Sequence, residues 1–211
     1  GGCATGTYYR SGEGLIGSWI ALIFYALFAS VMKYGALKPV NDAILGQKSG
    51  LTTIQGSLGI SVWVLVALLA AVVAWALVRQ SRQRVAVVSA KPRRTGLARV
   101  LFERPWSPNA TAVIVGVLAA IAYPLSNATG RNSGLGITTP SANIVQFLTT
   151  GNLESIDWGV VFVLGLIPGS YIAAKLSGEF RLRAPDARTA VRAVAGGTLM
   201  GVGAAVAGGC T

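Results

Sequence analysis

Residues 14–32, GLIGSWIALIFYALFASVM, contain no acidic or basic side chain. A helix needs about 20 mostly apolar residues to cross a hydrocarbon core roughly 30 Å thick, so this stretch predicts a membrane-spanning helix. Over all 211 residues, 53% are hydrophobic, 12% are charged and the mean hydropathy is +0.59. A water-soluble domain needs more polar surface than this composition supplies. The sequence therefore predicts an integral membrane protein.

Four further apolar stretches follow the same pattern. The first, residues 58–78, is comfortably long enough to span a bilayer. The second, residues 110–125, and the fourth, residues 189–207, are marginal. Pro168-Gly169 interrupts the third, so we expect a kink there and not a binding element, or else a broken or partly penetrating helix. We predict an all-α, polytopic membrane protein with about five membrane-spanning helices and short re-entrant half-helices. The four stretches are residues 58–78, 110–125, 158–174 and 189–207.

The positive charge is concentrated in two connections between the apolar stretches. The net charge of +11 and the pI near 10.4 would suggest nucleic-acid binding in a soluble protein. Here, residues 79–104 hold eight basic residues and one acid, and residues 175–192 hold five basic residues and two acids. An even number of predicted crossings separates these connections, so the positive-inside rule places both in the cytoplasm. Residues 79–107 are thus predicted to be a cytoplasmic linker between the halves of one transport domain, residues 1–211.

The only two cysteines lie in matching motifs, GGCAT at residues 1–5 and GGCT at residues 208–211. Paired glycines disfavour helix, so each thiol is expected at a helix break. A helix that follows such a break directs its positive N-terminal end toward an anion. Sulfur is soft and polarisable, which makes a sulfur-containing anion the predicted substrate. The predicted substrate-binding residues are Cys3, Cys210, Gly2, Ala4, Thr5, Gly209 and Thr211, with the Thr7 hydroxyl as a further donor.

Enzyme chemistry has little support in the sequence. Histidine is absent, and neither a metal-ligand spacing nor a Cys-x-x-Cys motif occurs. We therefore predict a transporter that is not an enzyme and that needs no metal and no cofactor. Two other classes stay open, namely a membrane-bound sulfurtransferase or thiol oxidoreductase, and a membrane subunit that only scaffolds a partner.

Two further local patterns predict structural features. Thr139 is suited to cap a helix and Pro140 to begin it, which predicts a short helix over residues 141–148. This helix is too short to span a bilayer, so either a re-entrant helix or an amphipathic surface helix fits. Tyr8 and Tyr9 are expected to form an interfacial pair. Arg10 is the cation nearest to Cys3 in sequence, and a role as an interfacial anchor fits it equally well.

Small residues recur every four positions along the last apolar stretch. This spacing places them on one face of a helix, where short side chains allow two backbones to approach closely. We therefore predict helix packing, and not ligand contact, along this face. The residues are Ala193, Gly197, Gly201, Ala205 and Gly209.

Three segments resemble the YeeE/YedE sulfur-transport family. They are GGCATGT at residues 1–7, GITTP at residues 136–140 and GVGAAVAGGCT at residues 201–211. The likeness covers nearly the whole chain, and its cysteine motifs are fairly specific. One further N-terminal cysteine of the family pattern does not occur here, and the sequence does not begin with methionine. We therefore expect this sequence to be a fragment of a longer chain.

The resemblance implies a multi-pass protein of the bacterial inner membrane that imports thiosulfate or a related sulfur or selenium compound. It also implies inverted repeats, with short helices that enter from both faces. Thiols along a narrow path would then pass thiosulfate on by transient S–H···S contacts, and Cys3 and Cys210 match two such positions. A cytosolic sulfur carrier or sulfurtransferase is the partner that this family context implies.

Overall fold

The computed structural model describes residues 3–46, 59, 61–82, 106, 108–130 and 133–208. Within these ranges the chain is almost entirely helical, which confirms the predicted all-α class. A short 3-10 turn, Leu153–Ser155, lies between two of the helices. The α-helices are α1 (Ala4–Gly12), α2 (Ile16–Lys33), α3 (Lys38–Gly46), α4 (Val62–Arg82), α5 (Pro108–Ala128), α6 (Thr138–Thr150), α7 (Trp158–Ser177) and α8 (Ala187–Val206).

The chain divides into two compact units. One unit comprises Gly1–Leu45 together with Ile114–Thr211, and the other comprises Gly46–Val113. The second unit contains α4, whose apolar part is Trp63–Trp75. Most of the predicted linker, residues 79–107, lies outside the described residues, so its role stays a prediction. The predicted site lies in the first unit.

Four helices of the described ranges are long and apolar enough to cross a membrane, namely α2, α5, α7 and α8. This finding confirms a multi-pass membrane protein. The remaining predicted stretch, residues 58–78, corresponds to α4 (Val62–Arg82), whose apolar part is shorter. The expected interruption at Pro168-Gly169 is wrong, because α7 is one continuous helix through both residues. The Ser170 hydroxyl donates to the Ile167 carbonyl oxygen at 2.9 Å.

Helix α8 packs closely along α2 through its face of small residues. Gly197, Gly201 and Ala205 are buried in this contact. A Cβ atom at Gly201 would lie 2.6 Å from the Tyr25 carbonyl oxygen and 3.1 Å from the Ala29 amide nitrogen. The backbones therefore approach to a distance that only glycine permits, which confirms the predicted packing role of this face. Gly209 lies outside the described residues.

The turn between α1 and α2 is joined to the loop between α7 and α8. The Ile16 amide donates to the Arg183 carbonyl oxygen at 3.1 Å, and the Arg183 amide donates to the Gly14 carbonyl oxygen at 3.0 Å. Arg183 belongs to the basic connection that the charge pattern places in the cytoplasm. With that orientation, the C-terminal end of α1 lies at the cytoplasmic end of α2, and α1 points its N-terminal end away from the cytoplasm.

Candidate functional site

Cys3 is the residue directly before α1, where the backbone is still extended with φ −61° and ψ 143°. Its carbonyl oxygen accepts the first helical hydrogen bond, from the Thr7 amide at 3.0 Å, and its thiol is exposed. A helix therefore starts directly after this cysteine, as the motif predicts on that side. The Thr7 hydroxyl donates to the same carbonyl oxygen at 3.1 Å. The prediction of Thr7 as a donor beside the thiol is thus wrong, because a helical threonine readily bonds back to the preceding turn.

The first turn of α1 acts directly on the Cys3 thiol, which lies outside the four candidate spans. The Thr5 amide, the Thr5 hydroxyl and the Gly6 amide lower the pKa of this thiol, while its slight burial opposes them. Helix N-terminal amides have no partner within their own helix and carry partial positive charge. The Thr5 hydroxyl thus acts on the Cys3 thiol, and the role of both residues in substrate binding stays a prediction.

Helix α6 is a second short helix, and it begins inside the protein. Its 13 residues are too few to span a bilayer. Ile137, which precedes the helix, is 2% exposed, and Thr138 and Ser141 are fully buried. This burial excludes an exposed surface helix for the N-terminal half of α6.

The start of α6 differs from the expected one. The helix begins at Thr138, one residue before the predicted cap Thr139, and no side chain caps it. The Thr139 hydroxyl instead accepts a hydrogen bond from Lys33 Nζ at 2.6 Å. A contact with α2 has therefore taken the place of the local capping bond that the sequence predicted.

The N-terminal ends of α1 and α6 meet in one buried cluster. Ala4, the first residue of α1, and Ile137 both belong to it. Tyr25, near the midpoint of α2, belongs to it as well and is completely buried. The starts of α1 and α6, each with partial positive charge, thus both border this cluster beside the middle of a candidate membrane span. The cluster consists of Ala4, Tyr8, Leu22, Tyr25, Ile137 and Val163.

Three tyrosine hydroxyls hold α6 in place, and sequence reasoning missed all three. Tyr25 donates to Thr138 Oγ1 at 2.8 Å, and Tyr34 donates to Asn143 Oδ1 at 2.7 Å. The hydroxyl groups of Tyr8 and Ser141 lie 2.8 Å apart. A tyrosine within an apolar stretch needs a partner for its hydroxyl, and that requirement is the signal that could have found Tyr25.

The expected interfacial pair Tyr8 and Tyr9 is wrong for Tyr8, which is 4% exposed, whereas Tyr9 is 41% exposed. Tyr8 lies one helical turn after Ala4 and therefore faces the same cluster. Arg10 is exposed, and its Nε donates to the Tyr9 hydroxyl at 3.4 Å. Because it lies in the last turn of α1, it is about 10 Å along the helix axis from Cys3.

The remaining predicted site residues, Gly2, Gly209, Cys210 and Thr211, lie outside the described residues, and their roles stay predictions. Helix α8 is described to its end at Val206. Met200 and Ala204, in its C-terminal half, pack against the buried cluster. The part of the chain that the structure describes contains no group of three or more acidic or cysteine side chains placed to hold a metal ion.

Several helices long and apolar enough to span a membrane, with two short helices whose first residues border a buried cluster, define a multi-pass membrane protein. The model of a family described as sulphur transport matches residues 1–211, and the chain belongs to this family. This match confirms the resemblance drawn from the cysteine motifs.

Two relatives are both named thiosulfate transporter TsuA. The protein from Escherichia coli (strain K12) is 50% identical over 212 residues, which cover 100% of this chain and 60% of the relative. The protein from Spirochaeta thermophila is 32% identical over 226 residues, which cover 100% of this chain and 62% of the relative. The chain thus spans about three fifths of the length of these relatives.

Proposed function

We propose that the full-length protein imports thiosulfate across the bacterial inner membrane along a path lined by Cys3 and Cys210. The observation that carries this proposal is one buried cluster that holds the starts of two short helices, one of them preceded by Cys3, in a chain of a sulphur-transport family. The names of the two relatives support thiosulfate as the substrate.

The chemistry of the substrate fits this arrangement. Thiosulfate is a dianion, and transfer into hydrocarbon without compensation for its lost hydration is very costly. Backbone amides at the starts of α1 and α6 replace part of that hydration. The Cys3 thiol offers a weak S–H donor and a polarisable surface to the terminal sulfur of thiosulfate. Contacts of this kind need no covalent step, so the path works with reduced, unmodified thiols.

Helices with N-termini inside the membrane are the devices that transporters use to bind anionic groups near the midplane. In the proposed orientation, α1 reaches the site from the cytoplasmic side, and the loop between α7 and α8 lies at the exit. A cytosolic sulfur carrier or sulfurtransferase that consumes the imported anion belongs to the same proposal.

The test is uptake of labelled thiosulfate by the full-length protein in liposomes. Cys3→Ala removes the sulfur contact, and Cys3→Ser keeps a donor of similar size but loses the polarisable atom. We expect both variants to lose most of the uptake, with Cys3→Ser no better than Cys3→Ala. Gly203→Ala is the matched control, because a Cβ there meets nothing within 4 Å and uptake should be unchanged.

Two measurements separate the alternatives. Excess unlabelled sulfate, which has the same charge but no terminal sulfur, should compete poorly, whereas a selenium analogue of thiosulfate that competes equally well would broaden the substrate class. Mass spectrometry of Cys3 after exposure to thiosulfate should show an unmodified thiol. A stable adduct of one sulfur atom would instead support the sulfurtransferase, and full uptake by Cys3→Ala would overturn the cysteine-lined path.

A further inference from the structure

A chain of hydrogen bonds links the helix that follows Cys3 to the first turn of α6. The Ser141 hydroxyl donates its single proton to the Ile137 carbonyl oxygen at 2.7 Å. Ser141 can therefore only accept from Tyr8, so the Tyr8 hydroxyl is the donor in their 2.8 Å contact. The chain runs in one direction, from Tyr8 on α1 through Ser141 to Ile137, the residue at which α6 begins.

All three residues of this chain are shielded from solvent. Tyr8 is 4% exposed, Ser141 is fully buried and Ile137 is 2% exposed. A hydrogen bond in such surroundings is electrostatically stronger than one in water, and losing it leaves no water to take its place. The contact therefore fixes the distance between α1 and the start of α6 more firmly than packing alone would.

The C-terminal half of α1 is held separately, by α2 and α7. Trp19 Nε1 donates to the Ser11 carbonyl oxygen at 3.0 Å. Gly12 lies so close to α7 that a Cβ there would collide with the Ile167 carbonyl oxygen. Tyr8 lies between this anchored end and Cys3, so its bond to Ser141 ties the N-terminal half of α1 to α6.

We propose that Tyr8 and Ser141 are positioning residues that set the separation of the two helix N-termini, and thereby the width and anion affinity of the path at Cys3. This inference rests on the proposed function and adds specific residues to it. When the bond is lost, the N-terminal half of α1 moves away from α6, the Cys3 thiol, which is already exposed, becomes more accessible still, and the bound anion loses contacts.

Tyr8→Phe tests this role cleanly. The ring and its packing stay, and Ser141 keeps its bond to Ile137, so no buried donor is left without a partner. Ser141→Ala removes the same contact from the other side. Tyr25→Phe is the matched control, because Tyr25 also donates to the first turn of α6, at Thr138, but belongs to α2 and not to the helix that follows Cys3.

Two quantities are measured on the full-length protein in liposomes. The first is the rate at which N-ethylmaleimide alkylates Cys3, read on its own peptide by mass spectrometry. The second is the KM and the maximal rate of thiosulfate uptake. Tyr8→Phe and Ser141→Ala should each raise the alkylation rate and the KM by roughly 2- to 12-fold, the range expected for one hydrogen bond, with a smaller change in maximal rate.

The double variant Tyr8→Phe with Ser141→Ala should show no more than the larger single effect, because both changes remove one shared contact. Tyr25→Phe should leave the alkylation rate of Cys3 within about twofold of the parent, since its bond lies on another helix. Additive effects of the two changes, or an equal rise in Tyr25→Phe, would show general loosening and overturn the inference.

An unchanged alkylation rate in both Tyr8→Phe and Ser141→Ala would overturn it as well. Failure of the proposed function looks different, because the unmodified protein would then take up no thiosulfate. The alkylation rates need no transport, so they decide the positioning role of Tyr8 in either case.

Discussion

Helix α2 has two contrasting contacts. Against α8 it meets glycine and alanine, and the two backbones approach so closely that Gly201 lies against the Tyr25 carbonyl oxygen. Against α6 it presents hydroxyl and ammonium groups, from Tyr25 and Lys33, to the threonines of the first helical turn. The first contact depends on shape and the second on paired polar groups. In a membrane protein, the first gives tight packing and the second fixes the position of a helix that does not span the bilayer.

The largest effect should come from filling the glycine face. Gly201→Ala places a Cβ 2.6 Å from the Tyr25 carbonyl oxygen and forces α8 away from α2, so we expect a loss of about 1–3 kcal/mol in the free energy of unfolding. Gly203→Ala, on the same helix with nothing within 4 Å, should leave stability unchanged or raise it slightly.

Denaturant titration of the purified protein in detergent measures both variants. If the two substitutions destabilise the protein equally, the loss comes from glycine as a residue type and not from this contact. The close packing of α2 against α8 would then not depend on the missing side chain at Gly201.

A smaller effect is expected at the polar contact. In a double-mutant cycle of Tyr25→Phe and Thr138→Val, the coupling free energy should be about 0.5–1.5 kcal/mol, the net value of one buried hydrogen bond. Tyr123→Phe, at a tyrosine that is 56% exposed, is the control and should change stability little. A coupling energy near zero would mean that packing alone positions α6.

The two contacts also differ in how far the sequence predicts them. The small-residue period of α8 and the apolar stretches were readable, because helix periodicity and hydropathy are local properties of the chain. The cap of α6 was not readable, because the Thr139 hydroxyl bonds to Lys33, which is distant in sequence. Tyr8 was misjudged for the same reason, since its partner Ser141 belongs to another helix.

The prediction of a helix break at Pro168 is also wrong. A proline removes one backbone hydrogen-bond donor from a helix, and α7 continues through Pro168 without that bond. The cysteine motif correctly predicted that a helix starts directly after Cys3, because the low helix propensity of glycine is a local property of the sequence. That the start of α6 lies in the same cluster depends on the packing of α1, α2 and α6 together, which no motif encodes.

The smallest effect concerns the pKa of the Cys3 thiol at the start of α1. Because the Thr5 amide and hydroxyl and the Gly6 amide favour the thiolate, the pKa of Cys3 lies below its ordinary value. The alkylation rate of Cys3 should therefore rise with pH at a lower midpoint than that of a free cysteine peptide, since the thiolate is the reactive form. Thr5→Val removes the hydroxyl but keeps the amide, so the midpoint should move up only part of the way.

Thr7→Val is the matched control for this measurement, because the Thr7 hydroxyl bonds to the Cys3 carbonyl oxygen and its loss should leave the midpoint in place. A midpoint at or above that of the free peptide would contradict the effect of the helix amides on this thiol. The same amides would then offer little to an arriving anion, because a charge on the substrate and a charge on the sulfur are stabilised by the same N–H groups. The pH profile thus measures, without any transport, whether the start of α1 attracts negative charge.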